Sequence, residues 1–391
     1  INIEDSSSLD AVKLNLSSDS ILKVALLLPF MLDENDTIQK NCPPLKKCSL
    51  HINSIQSVHF LNGVLLAIDS LKKTGIRIEL NVFDTKNDTS SLKAIFTASK
   101  FLNANVVIGP IYMRNIKMVS DFCKANKIHV LCPVPIPNQA LFNNKFITRF
   151  IPSKQTMMLE LAKYNLSLDS SLNRVLIVNA KKKKDLSYAK AFKAYYNQNL
   201  TNGLDSIKSL NLNSSSNINY LKKLLKADEE NILVVPSSDI GFVSNFMTKL
   251  SGLINTYEFR KYKITVYGME QWREMQTIDE KYKNAFNLHI PLSGKINYSS
   301  SQTINFIEKY RSTFDFDPAK FSFIGFDIAF NSFKGMLLYN NDLNDYYLNS
   351  KAIDNGYYFK TNISPVDPNS GFENKGVHIY HYSNYQLIRL D

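Results

Sequence analysis

Short apolar segments recur along this chain, roughly every 20 to 30 residues, and amphipathic segments separate them. Lys23–Phe30 is almost continuously apolar, as expected for a parallel strand that is buried on both faces. Apolar residues from Val58 to Leu71 fall on one stripe of a helix. The segment 76–82 then alternates apolar and polar residues, which is typical of a half-covered strand. The order strand, helix, strand predicts an α/β fold with a doubly wound parallel sheet.

The same alternation continues in two successive sets. In the first set, the predicted helices are 91–102 and 115–126, and the predicted strands are 105–109 and 128–132. In the second set, the predicted strands are 174–178, 207–212, 231–235 and 263–267, and the predicted helices are 188–199, 218–225 and 241–253. Two further helices, 302–314 and 326–338, are predicted later in the chain, after the segment Phe286–Pro291. Two extended segments, Lys145–Pro152 and Phe286–Pro291, are suited to carry the chain from one set to the other.

This pattern predicts two doubly wound α/β lobes joined by a hinge that the chain crosses several times. We expect a polar arm or linker over residues 1–21. The first lobe is expected to comprise residues 22–147 plus 292–345, and the second lobe residues 148–291 plus 346–391.

The formal net charge of the chain is +11. The lysines are scattered apart from Lys181–Lys184, so we expect hydrated surfaces and no nucleic-acid partner. A weak attraction to anionic envelope polymers stays open, and salt would screen it. The longest apolar run, Val24–Leu28, is far shorter than a membrane span, so no span is expected. Because the chain starts at Ile1, we expect a processed chain or a piece cut from a longer one, so any export signal, lipid anchor or preceding domain would lie upstream.

Cysteine and histidine spacing gives no metal site. Cys42 and Cys48 flank a Pro-Pro loop and are either a disulfide or two unpaired thiols. No CxxC pair is present. His378 and His381 are three residues apart in a predicted strand, which directs them to opposite faces. The acidic segment Asp33–Asp36 lacks the pattern of a calcium loop and is interpreted as a solvated loop.

Catalytic and cofactor motifs are also missing. The chain has no G-x-S-x-G nucleophile turn, no phosphate-binding P-loop, no G-x-G-x-x-G fingerprint and no H-E-x-x-H pair. We therefore expect no cofactor and no enzymatic activity.

The ends of the predicted strands are the more informative feature, because open α/β sheets bind ligands beyond the carboxyl ends of their strands. In the first lobe these ends are 29–30, 84–85, 109–112 and 133–134, and in the second lobe they are 179–180, 236–238 and 268–272. The Gly, Pro and Ser residues there either expose backbone groups to a ligand or simply form turns. The sequence favours neither alternative.

These segments, in this order, resemble the type I periplasmic-binding-protein fold, in particular the leucine/isoleucine/valine-binding family. The matching segments are Lys23–Pro29, Phe60–Gly63, Leu66–Asp69, Val82–Asp84, Val107–Pro110, Ile128–Pro133, Phe146–Pro152, Arg174–Val178, Val266–Gly268 and Phe323–Asp327. The resemblance covers nearly the whole chain from Leu22 onward. It implies a two-lobed binding protein with its ligand in a cleft between the lobes.

The segment Gly371–Tyr380 is similar to envelope proteins in which a LysM peptidoglycan-binding module precedes a binding-protein-like domain. A more distant similarity is to the lipoprotein activators of peptidoglycan synthases. The resemblance implies a periplasmic protein, with any outer-membrane anchor in upstream sequence. No LysM repeat is present in this chain.

Several positions depart from the family pattern. Amino-acid binders of this family place small hydroxyl residues after two first-lobe strands, where this chain has Ile111–Tyr112 and Val134–Pro137. Lys181–Lys184 replaces their Tyr-Gly step in the second lobe. Glu270 could still meet an ammonium group. The resemblance therefore does not extend to binding a free amino acid.

Two functional hypotheses follow. In the first, a small polar molecule or a peptidoglycan fragment binds in the cleft. In the second, the cleft is filled, and the chain is a scaffold or regulator of peptidoglycan or outer-membrane machinery with other envelope proteins as partners. Tyr112 and Trp272 would stack on a ligand and Glu270 would accept hydrogen bonds, although a packed indole is the favoured role of Trp272. The candidate ligand-binding residues are Phe30, Tyr112, Pro133, Val134, Glu270 and Trp272.

Overall fold

The computed structural model describes residues 21–44, 46–72, 76–168, 173–180, 182–199, 208–211, 219–227, 229–259 and 262–390. The expected arm over residues 1–21 therefore lies outside the described residues except for Ile21, which begins the first strand. The chain divides into two compact units. Unit 1 comprises Ile1–Ser153 and Gly294–Gly376, and unit 2 comprises Lys154–Ser293 and Val377–Asp391.

Unit 1 contains a seven-stranded sheet with the strand order β11-β12-β5-β4-β3-β1-β2. Its strands are β1 (Ile21–Leu28), β2 (Arg77–Asp84), β3 (Val106–Ile108), β4 (His129–Cys132), β5 (Ile147–Arg149), β11 (Ile363–Pro365) and β12 (Phe372–Asn374). Its helices are α1 (Leu32–Lys40), α2 (Ile52–Lys72), α3 (Thr89–Ile95), α4 (Ser99–Leu102), α5 (Met113–Ala125), α11 (Ser301–Phe314), α12 (Lys320–Leu338) and α13 (Leu343–Asn349). All neighbouring strands of this sheet are parallel except the pair β11 and β12.

Unit 2 contains a second seven-stranded sheet with the order β14-β13-β10-β9-β8-β6-β7. Its strands are β6 (Asn173–Asn179), β7 (Lys208–Asn211), β8 (Glu230–Val234), β9 (Lys263–Tyr267), β10 (His289–Leu292), β13 (His378–Ser383) and β14 (Gln386–Arg389). Its helices are α6 (Lys154–Ser167), α7 (Lys183–Gln198), α8 (Asn219–Lys222), α9 (Ile240–Ile254) and α10 (Glu280–Ala285). The strands β6 to β10 are parallel, whereas β13 and β14 run antiparallel to their neighbours.

The apolar run of β1 is continuous because the strand is buried on both faces, as its sequence predicts. Val24 and Leu26 pack into a core on one face of the sheet, while Ala25 and Leu27 pack into a core on the other face. On the first face, α2 and α12 pack against each other at close range. Glycine makes this approach feasible, because a Cβ atom on Gly63 would lie 2.0 Å from the carbonyl oxygen of Ser322.

The predicted fold class, two α/β lobes built on mainly parallel sheets, is confirmed. The central strands were predicted to within a few residues. The chain passes between the units three times, after Ser153, Ser293 and Gly376. The antiparallel strand β13 agrees with the predicted strand that contains His378 and His381, whereas β11 and β14 were not predicted.

The bounds of the units differ from the expected bounds of the lobes. Residues 346–376, expected in the second lobe, belong to unit 1. The reason is that β12 extends the first sheet by pairing with β5 in parallel. The paired residues Arg149 and Glu373 form a buried ion pair, with 2.9 Å between Arg149 Nη2 and Glu373 Oε2. Asn374 Nδ2 also donates to the carbonyl oxygen of Phe150 at 3.2 Å.

Some local predictions were wrong. The predicted helix 91–102 is two helices, α3 and α4, with a break between them. Asp33–Asp36 lies in α1 and not in a loop, and Asp33 and Glu34 occupy the first turn, where acidic residues favour a helix. The predicted crossover Lys145–Pro152 contains β5 and so belongs to the first sheet, and the chain passes into unit 2 directly after it, at Lys154. The disulfide alternative holds for Cys42 and Cys48, which are bonded to each other.

Candidate functional site

The carboxyl edge of the unit 1 sheet is organised around Asp84, the last residue of β2. Its Oδ1 accepts the backbone N–H groups of Phe30 at 2.9 Å and Lys86 at 2.9 Å. Its Oδ2 accepts the N–H of Leu32 at 3.0 Å. Both carboxylate oxygens therefore fix the turn from β1 into α1.

The carbonyl groups at the end of β1 are also used. Asn35 Nδ2 donates to the Phe30 oxygen at 2.9 Å, and Ser54 Oγ donates to the same oxygen at 2.5 Å. Ser57 Oγ donates to the Pro29 oxygen at 3.0 Å. Phe30 is half-buried against the core of unit 1. The backbone around this candidate residue is thus satisfied within the unit.

Tyr112 follows β3 after a cis peptide bond between Gly109 and Pro110. Gly109 is required there, because its φ is 100° and a Cβ atom would lie 2.4 Å from the carbonyl oxygen of Leu27. The Tyr112 hydroxyl donates to Asn53 Oδ1 at 2.5 Å, and burial raises the pKa of Tyr112. The hydroxyl is therefore engaged with α2 in this structure.

The two candidates after β4 are packing residues in this structure. Pro133 is buried. Val134 is half-buried and contacts the apolar cores on both faces of the first sheet.

The carboxyl edge of the unit 2 sheet is built differently, because several helices begin there. After β6 the chain enters α7, and after β8 it enters α9, whose first turn is capped by Asp239. After β9 it forms a short 3₁₀ helix, Glu270–Glu274. Lys182 Nζ and Asp239 Oδ2, 2.5 Å apart, join the starts of α7 and α9.

Lys154, the first residue of α6, points its ammonium group into this edge. Its Nζ donates to Ser238 Oγ at 3.0 Å, and Ser238 Oγ donates to Gln271 Oε1 at 2.9 Å. Burial lowers the pKa of Lys154, whereas the negative charges of Glu270 and Asp185 raise it. The Lys154 ammonium also lies 5.9 Å from the centre of the Tyr188 ring. We call Lys154, Asp185, Ser238, Glu270 and Gln271 the unit 2 polar cluster.

Asp185, in the first turn of α7, is the most unusual member of the cluster. Its residue surface is only 5% exposed. Its side chain is hydrogen bonded to Ser237, yet its Oδ2 has no hydrogen-bond partner in the described part of the chain. Burial raises its pKa, and the hydrogen bond from Ser237 and the charge of Lys182 oppose that shift. Buried carboxylate oxygens are rarely left without a partner.

Glu270 and Trp272 have separate roles at this edge. Glu270 Oε1 accepts the backbone N–H of Ser293 at 3.1 Å and its hydroxyl at 2.7 Å. Trp272 is fully buried, and its Nε1 donates to the Ser237 carbonyl at 2.7 Å. The favoured interpretation of Trp272 as a packed indole matches this geometry. It holds the loop that carries Ser237 and Ser238 and does not present its ring at the surface.

Glu270 is among the residues predicted from the sequence, whereas Lys154, Asp185 and Tyr188 are not. Lys154 begins a helix after an extended segment, and Asp185 and Tyr188 lie in a helix that follows a strand. Lys154 and Asp185 both lie in the first turn of a helix that follows a strand or an extended segment. Polar residues at such helix starts, and not only those at strand ends, are therefore candidates.

Neither a metal site nor a membrane span is visible in the described residues. They contain no group of three or more His, Cys, Asp or Glu side chains arranged for a metal ion. None of their helices combines the length and apolar character required to cross a bilayer.

No protein-family model matches this chain, and no curated protein matches it. Solved structures do match. An ABC transporter substrate-binding protein from Desulfitobacterium hafniense, in complex with Leu, is 14% identical, with a TM-score of 0.55 over 95% of this chain and 100% of that one. The chain has a type I periplasmic-binding-protein-like fold.

The same fold is shared by the C-domain of LpoA from Haemophilus influenzae, described as a regulator of PBP1A. It is also 14% identical, with a TM-score of 0.56 over 95% of this chain and 100% of that domain. At these identities the likeness shows the fold alone. The two neighbours, one a transport protein and the other a regulator, show that this fold serves both kinds of role.

Proposed function

We propose that this chain is a non-enzymatic binding protein of the cell envelope that holds a small polar molecule or a cell-wall fragment. The unit 2 polar cluster would contact that ligand. The likeness to a substrate-binding protein solved with Leu supports a binding role. The Cys42–Cys48 disulfide supports an oxidising compartment such as the periplasm.

The observation that carries the proposal is the Oδ2 atom of Asp185, which has no hydrogen-bond partner among the residues that the structure describes. A buried carboxylate oxygen without a donor costs stability, and an apolar or amide residue would avoid that cost. Such a group serves a function if a bound ligand supplies the missing hydrogen-bond donor. The surrounding cluster provides a cation, a second carboxylate and a hydroxyl within the same unit.

The chemistry of the cluster defines the ligand. Asp185 and Glu270 call for donors on the ligand, such as an ammonium, hydroxyl or amide N–H group. Lys154 calls for an acceptor, such as a carboxylate or carbonyl oxygen. The ligand would therefore carry both kinds of group, as amino acids, peptides and muropeptides do.

The test is a thermal-shift screen followed by calorimetry of any compound that stabilises the protein. The panel would contain the L-amino acids, di-alanine, D-glucose, N-acetylglucosamine and a disaccharide-pentapeptide muropeptide. We expect at least one compound with donors and acceptors to raise the melting temperature. We expect Asp185→Asn to weaken its binding by about tenfold or more, because one charge-assisted hydrogen bond is lost.

Asp279→Asn is the matched control, since Asp279 is an aspartate of the same unit that caps the exposed start of α10. Binding should be unchanged in this variant. The proposal fails if no compound of the panel stabilises the protein. It also fails if Asp185→Asn and Asp279→Asn alter binding equally.

The second candidate function is a scaffold or regulator of peptidoglycan or outer-membrane machinery. The observation that favours it is the unit 1 edge, where Asp84, Phe30 and Tyr112 already have hydrogen-bond partners within the unit. The likeness to the LpoA C-domain agrees with it. This function predicts no stabilisation by small ligands and co-purification with an envelope partner.

The role of Phe30, Pro133 and Val134 in lining a ligand cleft stays a prediction. Within unit 1 these residues pack, so a ligand would meet them as apolar surface and not as hydrogen-bonding groups.

A further inference from the structure

Unit 1 contains a cavity of about 500 Å³ that lies away from the carboxyl edge of its sheet. It is lined by residues of α2, α11, α12 and α13 and of the segment 353–361. Pockets of this size accommodate small organic ligands. The start of α2 lies at the strand ends, because Asn53 accepts a hydrogen bond from Tyr112. Leu66, which lines the cavity, lies about 21 Å along α2 from Ile52, at 1.5 Å per residue. The cavity is therefore separate from the strand ends of unit 1.

One wall of the cavity is aromatic. The rings of Phe326 and Phe330 are stacked, with centroids 5.4 Å apart and an interplanar angle of 10°. Phe306 meets Phe326 edge-on at 5.4 Å, and Tyr357 lies 4.7 Å from Phe306. Such rings offer a flat apolar surface on which the C–H face of a sugar or another ring can pack.

Polar groups on α12 also line the cavity. Asn331 is hydrogen bonded to Tyr346, but its Oδ1 is buried and has no hydrogen-bond partner within the described chain. One turn further, Lys334 lines the cavity and forms no ion pair with any residue that the structure describes. Lys309, by contrast, is paired with Asp69. Among the described residues, the cavity thus offers an acceptor at Asn331 Oδ1 without a hydrogen-bond partner and a cation at Lys334 without an ion-pair partner.

A buried carboxylate, Asp327, fixes one wall of the cavity. Asp327 Oδ1 accepts the N–H of Tyr357 at 2.9 Å, and its Oδ2 accepts the N–H groups of Tyr358 at 2.7 Å and Phe359 at 3.0 Å. These bonds fix the segment that carries Tyr357. A Cβ atom on the lining residue Gly356 would lie 2.9 Å from Asp327 Oδ2 and 2.4 Å from the Phe359 oxygen. The binding geometry is therefore formed before any ligand arrives, which lowers the cost of binding.

We propose that this cavity binds a sugar acid, meaning a pyranose ring that carries one carboxylate. The sugar ring would pack on Phe326 and Phe330, a ring hydroxyl would donate to Asn331 Oδ1, and the carboxylate would pair with Lys334. A neutral sugar would lack the partner for Lys334. A purely aromatic acid would leave Asn331 Oδ1 without its donor.

The test is binding of three probes, D-glucuronate, D-glucose and benzoate, measured by calorimetry and by saturation-transfer NMR on the full chain. We expect D-glucuronate to bind at least about tenfold more tightly than D-glucose, because one charge-assisted hydrogen bond contributes about that much affinity. Benzoate should bind more weakly than D-glucuronate. Equal binding of the two sugars, stronger binding of benzoate, or no binding of D-glucuronate would overturn the proposal.

Substitutions in the cavity test whether the sugars bind there. Lys334→Gln should weaken D-glucuronate about tenfold and leave D-glucose unchanged. Phe330→Leu, which keeps an apolar side chain in place, should weaken both sugars. Lys117→Gln is the control, because Lys117 is an exposed lysine of the same unit that pairs with Asp121. An equal effect of Lys334→Gln and Lys117→Gln would contradict the proposed site.

This inference is independent of the proposed function. Asp185→Asn, which should impair the unit 2 polar cluster, should leave D-glucuronate binding unchanged. If Asp185→Asn abolishes D-glucuronate binding and Lys334→Gln does not, the sugar acid binds to unit 2 and the cavity proposal fails.

Discussion

The carboxyl edges of the two sheets contain similar residues but use them differently. In unit 1, both oxygens of Asp84 accept backbone N–H groups, and the Phe30 oxygen accepts two side-chain donors. In unit 2, Asp185 is as buried as a core residue, yet one of its oxygens has no partner in the described part of the chain. At the first edge, Asp84 and Phe30 are bonded within their own unit, although Asn115 Oδ1, in the first turn of α5, has no hydrogen-bond partner among the described residues. At the second edge, the atom without a partner among the described residues belongs to a carboxylate, Asp185, which would suit a ligand that carries a hydrogen-bond donor.

This contrast also explains why the fold alone does not decide the function. Both units have parallel sheets whose carboxyl ends are the general location of ligand sites. The hydrogen-bond partners of the carboxylates Asp84 and Asp185 are what distinguish the two edges. The following changes test that distinction, beginning with the largest expected effect.

The largest effect is expected in unit 1 from Glu373→Ala, which leaves the buried Arg149 without its ion-pair partner. We expect the free energy of unfolding to fall by about 3–5 kcal/mol, the usual consequence of an uncompensated buried charge. Urea unfolding followed by far-UV circular dichroism measures the loss. Trp272 is the only tryptophan and lies in unit 2, so the fluorescence transition should shift less than the dichroism transition.

The control for that change is Lys117→Ala, which breaks an exposed pair on α5 and should have little effect. If Glu373→Ala is equally mild, or if it shifts the tryptophan transition more than the dichroism transition, the assignment of β12 to unit 1 is contradicted.

The second effect concerns pH. Burial raises the pKa of Asp327 to about 6, although the hydrogen bonds from the backbone of residues 357–359 act to lower it. An unfolded aspartate loses its proton near pH 4, so between about pH 4 and 6 the folded state holds the extra proton. The free energy of unfolding should therefore fall as the pH rises through this range, by about 2–3 kcal/mol.

Asp327→Asn isolates this contribution, because the variant has no carboxyl group to titrate. The stability of the natural chain minus that of Asp327→Asn should decrease from pH 4 to pH 6 and be constant above pH 7. Denaturant unfolding at each pH measures it. A difference that does not vary with pH would show that Asp327 has an ordinary pKa.

A smaller effect is expected from Asp84→Asn at the unit 1 edge. The amide keeps one acceptor oxygen but loses the second acceptor and the negative charge that bind the turn into α1. We expect a loss of about 1–2 kcal/mol. The outcome that would contradict the account is an unchanged or increased free energy of unfolding.

The smallest effect on stability is expected from the same substitution at the other edge, Asp185→Asn. Here the change removes a desolvated charge whose Oδ2 has no partner within the described residues. We expect a free energy of unfolding that is unchanged or higher by up to about 1 kcal/mol, together with weaker ligand binding. A destabilisation as large as that of Asp84→Asn would mean that Asp185 is a structural residue.

Much of the fold could be predicted from the sequence, because parallel strands buried on both faces leave uninterrupted apolar runs. β1, β8 and β9 have such runs, and their ends at Phe30, Pro236–Ser238 and Gly268–Trp272 were found for that reason. The short strand β12 has no such run. It joins unit 1 through pairing with β5 and through the Arg149–Glu373 ion pair, which connect residues that are far apart in the sequence.

The candidate sites were less predictable, because they depend on which helices meet. Lys154 and Asp185 reach one edge from the starts of two helices, and no spacing in the sequence links them. The cavity of unit 1 likewise requires α2, α11 and α12 to pack together. Tyr112 and Val134 were chosen by their position after strands, but their orientation depends on α2 and on the two cores.

The most direct test of the contrast between the edges is amide hydrogen exchange with and without the panel compound that stabilises the protein most. We predict that this compound slows exchange at residues 235–239 and 268–272 of unit 2. Exchange at residues 28–32 and 109–112 of unit 1 should change much less. Protection confined to the unit 1 segments, or no protection at either edge, would contradict the account.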